Sequence, residues 1–230
     1  MNSSSLKPYI SRADITHTDP SGEGPGANMY VATASSMAGP WRTSKVEIKG
    51  MGSLHISNPS IALLENGKVM LAYRFNPSHG EQNGFALSGS ILGPFTSSAN
   101  LTKAPGNDED PYLWQSKHDE SLHILYHNGA HGLHAYSKDG RVWSKSPTHS
   151  RAFSLELDLS GGNTFALARR ERPELLFDAQ GAPTHLYNGA NTHGATLPGP
   201  TTATDTVGNG RSKGFSHAFS LVQALRVPAE

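Results

Sequence analysis

The sequence predicts an all-β protein built from repeated antiparallel sheets, and three observations predict it. Apolar runs of four to eight residues stand between turn signals, with 24 Gly and 15 Pro among 230 residues, and no window carries a long helical period. A strand–turn–strand phrase with a proline near its head is written three times. A second phrase, a short strand that enters a glycine turn and ends on an aromatic residue, interlocks with the first.

Taken in chain order, the opening segment 1–27 is expected to be irregular, because Asp19-Pro20-Ser21 runs into Gly22-Glu23-Gly24-Pro25-Gly26, which cannot make a paired strand. Residues 28–230 are expected to form one domain. It begins with Tyr30-Val31-Ala32-Thr33-Ala34, a strand that leads to Gly39-Pro40-Trp41. The first proline phrase follows: Ser57-Asn58-Pro59-Ser60-Ile61-Ala62-Leu63, a turn at Asn66-Gly67, and Val69-Met70-Leu71-Ala72-Tyr73-Arg74. Phe85-Ala86-Leu87-Ser88 then runs to Gly93-Pro94-Phe95. The second proline phrase is Glu109-Asp110-Pro111-Tyr112-Leu113-Trp114, a polar turn, and Leu122-His123-Ile124-Leu125-Tyr126-His127. His134-Ala135-Tyr136-Ser137 leads through Asp139-Gly140 to Trp143. Thr164–Arg170 fits a strand or loop better than a helical turn. The third proline phrase is Glu171-Arg172-Pro173-Glu174-Leu175-Leu176-Phe177, a turn at Gln180-Gly181, and Pro183-Thr184-His185-Leu186-Tyr187-Asn188. About 189–214 reads as a long loop rich in Gly, Thr and Pro, and Phe219–Gln223 as a final strand.

Pro59, Pro111 and Pro173 lie 52 and then 62 residues apart. One unit therefore reads as strand, turn, strand, loop, strand, glycine turn and outer strand. That is a four-stranded sheet of about 50 residues, the blade of a β-propeller.

Composition excludes several classes of function. Lys and Arg total 19, as do Asp and Glu, for zero net charge, so neither nucleic acid nor an anionic membrane is an expected partner. No apolar stretch approaches the roughly 20 residues needed to cross a bilayer, and the first residues lack the apolar core of a secretion signal. The absence of cysteine removes disulfide and thiolate chemistry.

Chemistry concentrates at the proline phrases. In a propeller the innermost strands begin near the axis, and proline is tolerated at a strand's first residue. Asp110 and Glu171 would then open onto one cavity, with Asn58 at the matching place one blade earlier. Two carboxylates across a sugar-sized pocket can cleave a glycosidic bond, one protonating the leaving oxygen and another activating water.

These motifs resemble the five-bladed propellers of glycoside hydrolase family 43, the relatives of arabinanases and β-xylosidases. In that family an Asp-Pro carries the aspartate that tunes the acid, and a Glu-x-Pro at the next blade carries the acid itself. Asp110-Pro111 and Glu171-Arg172-Pro173 match these, and Gly39-Pro40-Trp41 and Gly93-Pro94-Phe95 match the family's blade closures. The likeness covers roughly residues 28–190. It implies inverting hydrolysis of arabinose- or xylose-type glycans, with Glu171 as general acid, Asp110 as its pKa modulator and carbohydrate as the partner. No cofactor is implied, although relatives place an ion or water near the axis beside a histidine such as His127 or His134.

The chain departs from the family at the base. The family's base is an aspartate on a strand pair ahead of the segment matching 28–41, and only 27 residues precede it here. An incomplete ring of about four blades is expected, with Asp19 reaching the pocket from a loop as the candidate base. The alternative is a carbohydrate-binding propeller without a base, and a protein-binding scaffold is a third reading. Asn58, Tyr112, Arg172 and His134 are candidate substrate contacts, while Glu109 and Glu174 read as structural. The histidines around His131 lack a completing ligand set, so no metal site is expected. Ser137–Trp143 resembles a shortened Asp-box turn of sialidases, with a folding role.

Overall fold

Alternating apolar residues and tight turns make hairpins, and hairpins stacked face to face make this protein. The computed structural model describes residues 9–11, 29–36, 38–51, 56–75, 81–100, 108–128, 131–145, 151–159, 162–192, 204–207, 211–214 and 218–225. Among them the chain is all β. The first sheet holds β1 (Tyr9–Ser11), β2 (Tyr30–Ala34) and β3 (Arg42–Lys45), side by side in that order. β4 (Ile48–Lys49) crosses to the second sheet, a meander of β5 (Ile56–Leu63), β6 (Val69–Phe75), β7 (Gln82–Ser88) and β8 (Phe95–Asn100), where it lies parallel to β8 on the outer edge. The third sheet is the meander β9 (Asp108–Gln115), β10 (Leu122–Asn128), β11 (His131–Ser137) and β12 (Ser144–Lys145). β13 (Glu156–Asp158) and β14 (Thr164–Ala166) form a small hairpin. The fourth sheet starts with β15 (Arg169–Phe177) and β16 (Pro183–Asn191); β17 (Thr204–Val207) pairs with β18 (Arg211–Gly214), and β19 (Ala218–Ala224) returns to β16.

Among the described residues the architecture is thus that of a β-propeller, with four sheets of three to five strands and the two hairpins β13–β14 and β17–β18. Two segments carry more structure than their composition suggests. Tyr9–Ser11, inside the segment expected to be irregular, pairs with β2. The stretch 189–214, expected to be a loop, contains the end of β16 and the β17–β18 hairpin. Tyr9–Ser11 gains its ladder from β2, and β17 and β18 gain theirs from each other; local propensity does not report such pairing. No helix among the described residues is long and apolar enough to cross a membrane.

Each seam between consecutive sheets is a separate apolar cluster. Met29, Val31 and Val46 of the first sheet pack on Val69, Leu71, Tyr73 and Phe95 of the second. Met70, Ala72 and Phe85 meet Leu113, Ile124 and Tyr126 of the third. Leu125 and Phe153 meet Leu186 of the fourth, with Tyr112, Trp114 and Leu175 at the margin. Trp143 stacks on Phe85 with ring centroids 4.3 Å apart and planes 10° apart, a geometry worth about 1 kcal/mol beyond its buried area. The turn before Trp143 is held by Asp139, whose Oδ1 accepts from the amides of Arg141 (2.8 Å) and Val142 (2.9 Å).

The three proline phrases share one backbone device. Pro59, Pro111 and Pro173 lie inside β5, β9 and β15 rather than at the first residue, each within a β-bulge. The pairs Asn58-Pro59, Asp110-Pro111 and Arg172-Pro173 oppose a single residue of the next strand: Tyr73, Tyr126 and Asn188. A bulge leaves a residue unpaired, and proline has no amide proton to waste there. The residue before each proline takes a positive φ: 50° at Asn58, 52° at Asp110 and 52° at Arg172. Asn and Asp tolerate this region, whereas for an arginine it is a strain of about 1–3 kcal/mol that the surrounding ladder must hold.

Candidate active site

The bulges re-aim three pairs of side chains toward the strand heads. By register, Ser57, Glu109 and Glu171 are equivalent, as are Asn58, Asp110 and Arg172; across the ladder stand Arg74, His127 and Gly189. One network grows from these positions. Asn58 Nδ2 of the second sheet donates to Asp110 Oδ1 of the third. His127 Nε2 lies 3.1 Å from Asp110 Oδ2 and 3.5 Å from Glu109 Oε1. Glu109 accepts from Arg74 at 2.7 Å, and the same guanidinium reaches Glu81 at 2.9 Å and Ser57 Oγ at 2.9 Å.

Glu171 enters from the fourth sheet. Asp110, His127 and Glu171 each offer an oxygen or nitrogen within 4.8 Å of the others. Asp110 and His127 are only 2% and 1% exposed, so their charges interact with little solvent between them. Glu171 is part-buried, and Arg169 Nη1 donates to its Oε1 at 3.3 Å. Arg172 lies between the carboxylates, 3.9 Å from Asp110 Oδ1 and 4.0 Å from Glu171 Oε2.

Burial pulls the His127 pKa down, but the Asp110 hydrogen bond and the charges of Asp110, Glu109 and Glu171 prevail and hold it above its ordinary value. Its Nδ1 is buried without a hydrogen-bond partner among the described residues. Burial, and then the Glu109 charge, push the Glu81 carboxyl up against the opposing pull of Arg74. Two carboxylates and an imidazole are a donor set that suits a divalent cation. Arg172 faces two of the same groups, the carboxylates of Asp110 and Glu171.

Beside Glu171 lies an open groove of about 550 Å³ whose walls include Arg169, Arg172, Gly189, Phe219 and Ser220. That volume is within the range of small-molecule sites, about 300–1,000 Å³.

The sequence-predicted residues divide accordingly. Asp110, Glu171, Asn58 and Arg172 converge. Tyr112 stands in the seam between the third and fourth sheets, where its hydroxyl donates to the Leu175 carbonyl at 3.3 Å; burial and the Glu174 charge push its pKa up to about 12. His134 belongs to another group, stacked with Trp114 and His123, with its Nε2 at 3.0 Å from His123 Nδ1. Asp19 lies outside the described residues. Arg74 and Glu81 were not legible as site residues, and Glu109 read as structural. The signal for Arg74 was its place in the repeat, since it closes Tyr73-Arg74 as His127 closes Tyr126-His127.

No family model and no curated protein matches this chain. Solved structures do. A protein of unknown function from Dyadobacter fermentans is 10% identical, with a TM-score of 0.52, over 86% of this chain and 64% of that one. An exo-β-1,3-galactanase from Phanerochaete chrysosporium, solved with galactose, is 12% identical with a TM-score of 0.47, over 71% of this chain and 36% of that one. An α-L-arabinofuranosidase from Podospora anserina, in complex with cellotriose, is 15% identical with a TM-score of 0.42, over 64% and 48%. The likeness is one of fold. This chain spans about a third to a half of the length of those two glycan-cleaving enzymes.

Proposed function

We propose that this protein hydrolyses glycosidic bonds by inversion, on glycans of the arabinose or xylose type. Glu171, on the rim of the groove, donates the proton taken by the leaving oxygen. Asp110, fixed by Asn58 and His127, is its modulating carboxylate. Asp19 is the proposed base, the group that takes a proton from the attacking water. The observation that carries the reading is the approach of Asp110 and Glu171, from consecutive sheets, to within 4.8 Å of each other and of His127. That approach is closer than the roughly 6.5–9.5 Å that an inverting acid and base keep for the intervening water. It therefore suits an acid and its modulator, and leaves the base to another position.

The test is turnover of aryl glycosides by wild type and Glu171→Gln. A lost proton donor lowers the rate by about 10²–10⁴ with poor leaving groups, and far less with dinitrophenolate, which leaves unprotonated. An unchanged rate on poor leaving groups removes Glu171 from the role. A second reading, carbohydrate binding without cleavage, draws on the contacts of Arg169 and Arg172 with Glu171, which hold that carboxylate in ion pairs. Sugar binding with no turnover on any glycoside of the panel would select it.

A further inference from the structure

Arg172 sits where the other two copies of the bulge place Asn58 and Asp110. Those two side chains are buried and joined to each other, while that of Arg172 is 55% exposed. Its approaches to Asp110 and Glu171, 3.9 and 4.0 Å, are longer than any hydrogen bond. A guanidinium carries five donors, and among the described residues those of Arg172 make no hydrogen bond. The strained φ of 52° presents this donor-rich group at the groove mouth.

The groove completes the picture. Its walls hold two guanidiniums, Arg169 and Arg172, against one carboxylate, Glu171. Gly189 faces Glu171 across the ladder without a side chain. Ser220 stands in the same cross-strand row as Gly189 and Glu171, and Phe219, 39% exposed, adds an apolar residue to the lining. An apolar platform beside paired fork-shaped donors fits a pyranose that carries an anionic group, since arginine binds planar carboxylates in a bidentate manner. We infer that this groove binds an acidic sugar, a glycan unit whose carboxylate or sulfate is taken by Arg172 and Arg169; the inference rests on the carbohydrate reading above. In the free protein Glu171 is the anion that these arginines meet. The ligand's anionic group replaces it, and Glu171 is released toward the scissile bond.

Titration calorimetry with the full chain tests this, using glucuronate and galacturonate, their neutral counterparts glucose and galactose, and galactose 6-sulfate. The acidic sugars should bind at least tenfold more tightly than the neutral ones, with affinity that falls as salt rises. Arg172→Gln should weaken uronate binding tenfold or more, as expected for a lost charged hydrogen bond. Glu171→Gln should strengthen it, because the competing carboxylate is gone. Arg172→Lys, should Arg172→Gln misfold, keeps the charge and loses the fork, and should fall between the two. Comparable binding of the 6-sulfate would assign the groove to anionic sugars in general, and uronate binding alone would assign it to carboxylates. Equal affinity for acidic and neutral sugars, or uronate binding unaffected by both Arg172 substitutions, overturns the inference. Turnover of neutral glycosides without acid selectivity would sink this inference alone. Uronate binding without turnover of any glycoside would sink the hydrolase reading alone.

Discussion

Asn58, on the bulge of one sheet, donates its side-chain amide to Asp110 on the equivalent bulge of the next, 52 residues away. Both are buried, at 6% and 2% exposure, so this contact, with the Arg74–Glu109 pair beside it, ties two blades at their heads and fixes the carboxylate that His127 shares. Asn58→Ala should cost about 1–3 kcal/mol, the usual penalty for leaving a buried acceptor short of a donor. Urea denaturation checks it. A midpoint equal to that of the wild type would show that water replaces the amide without loss.

His127 supplies a pH dependence of defined sign. Its folded pKa is raised above the unfolded value. Its stabilisation is therefore fully present below an unfolded pKa of about 6.5 and fades as pH rises through the folded value. The urea midpoint should fall as pH rises above about 6.5, and His127→Gln should flatten that decline. An equal decline in the variant would place its origin elsewhere.

Arg170 should behave as a structural clamp. It is 2% exposed and donates to Asn188 (2.9 Å), the Ser154 carbonyl (3.1 Å) and Gln223 (2.7 Å), with Phe153 beneath its guanidinium at 4.9 Å. Burial lowers its pKa to about 10, which still leaves it charged at neutral pH. Arg170→Met keeps the apolar stem but strands three acceptors, and should destabilise by about 3 kcal/mol. A calorimetric melt would show this, and a melting temperature within a degree of the wild type would refute the clamp.

Gly132 is a test of packing alone. A Cβ there would run into the Phe153 ring, and the Gly132 amide donates to the Phe153 carbonyl at 2.9 Å. Gly132→Ala should therefore cost about 1–3 kcal/mol through overpacking. Phe153→Leu should recover part of that cost in the double variant. Full additivity of the two substitutions would contradict the contact.

The repeat was legible because proline, glycine turns and apolar runs are local signals. The bulge was not, since it shows only when two strands are laid side by side. That gap explains the misalignment of the third copy. In sequence Tyr187 looks like the counterpart of Tyr73 and Tyr126, but Asn188 takes that place in the ladder. Tyr187 is consequently turned to the other face and is 37% exposed, whereas Tyr73 and Tyr126 are fully buried, as the two-residue period of a strand requires. The carboxylates at Asp110 and Glu171 could be read from the repeat. The Arg74 bridge between Glu81 and Glu109 could not, because no spacing announces which cation reaches two acids.

The parallel ribbon Ile48–Lys49 along β8 has a further effect. It belongs to the chain leaving the first sheet, yet it occupies the hydrogen-bonding rim of the second, and the Glu47 carbonyl accepts from Phe95 at 2.8 Å. A bare rim is a template for foreign strands, and this short crossing covers its first two residues, Phe95 and Thr96. Lys49→Pro removes an amide proton from that pairing and should therefore expose more of the rim to a second strand, which size-exclusion chromatography of the variant would show as a shift to larger species.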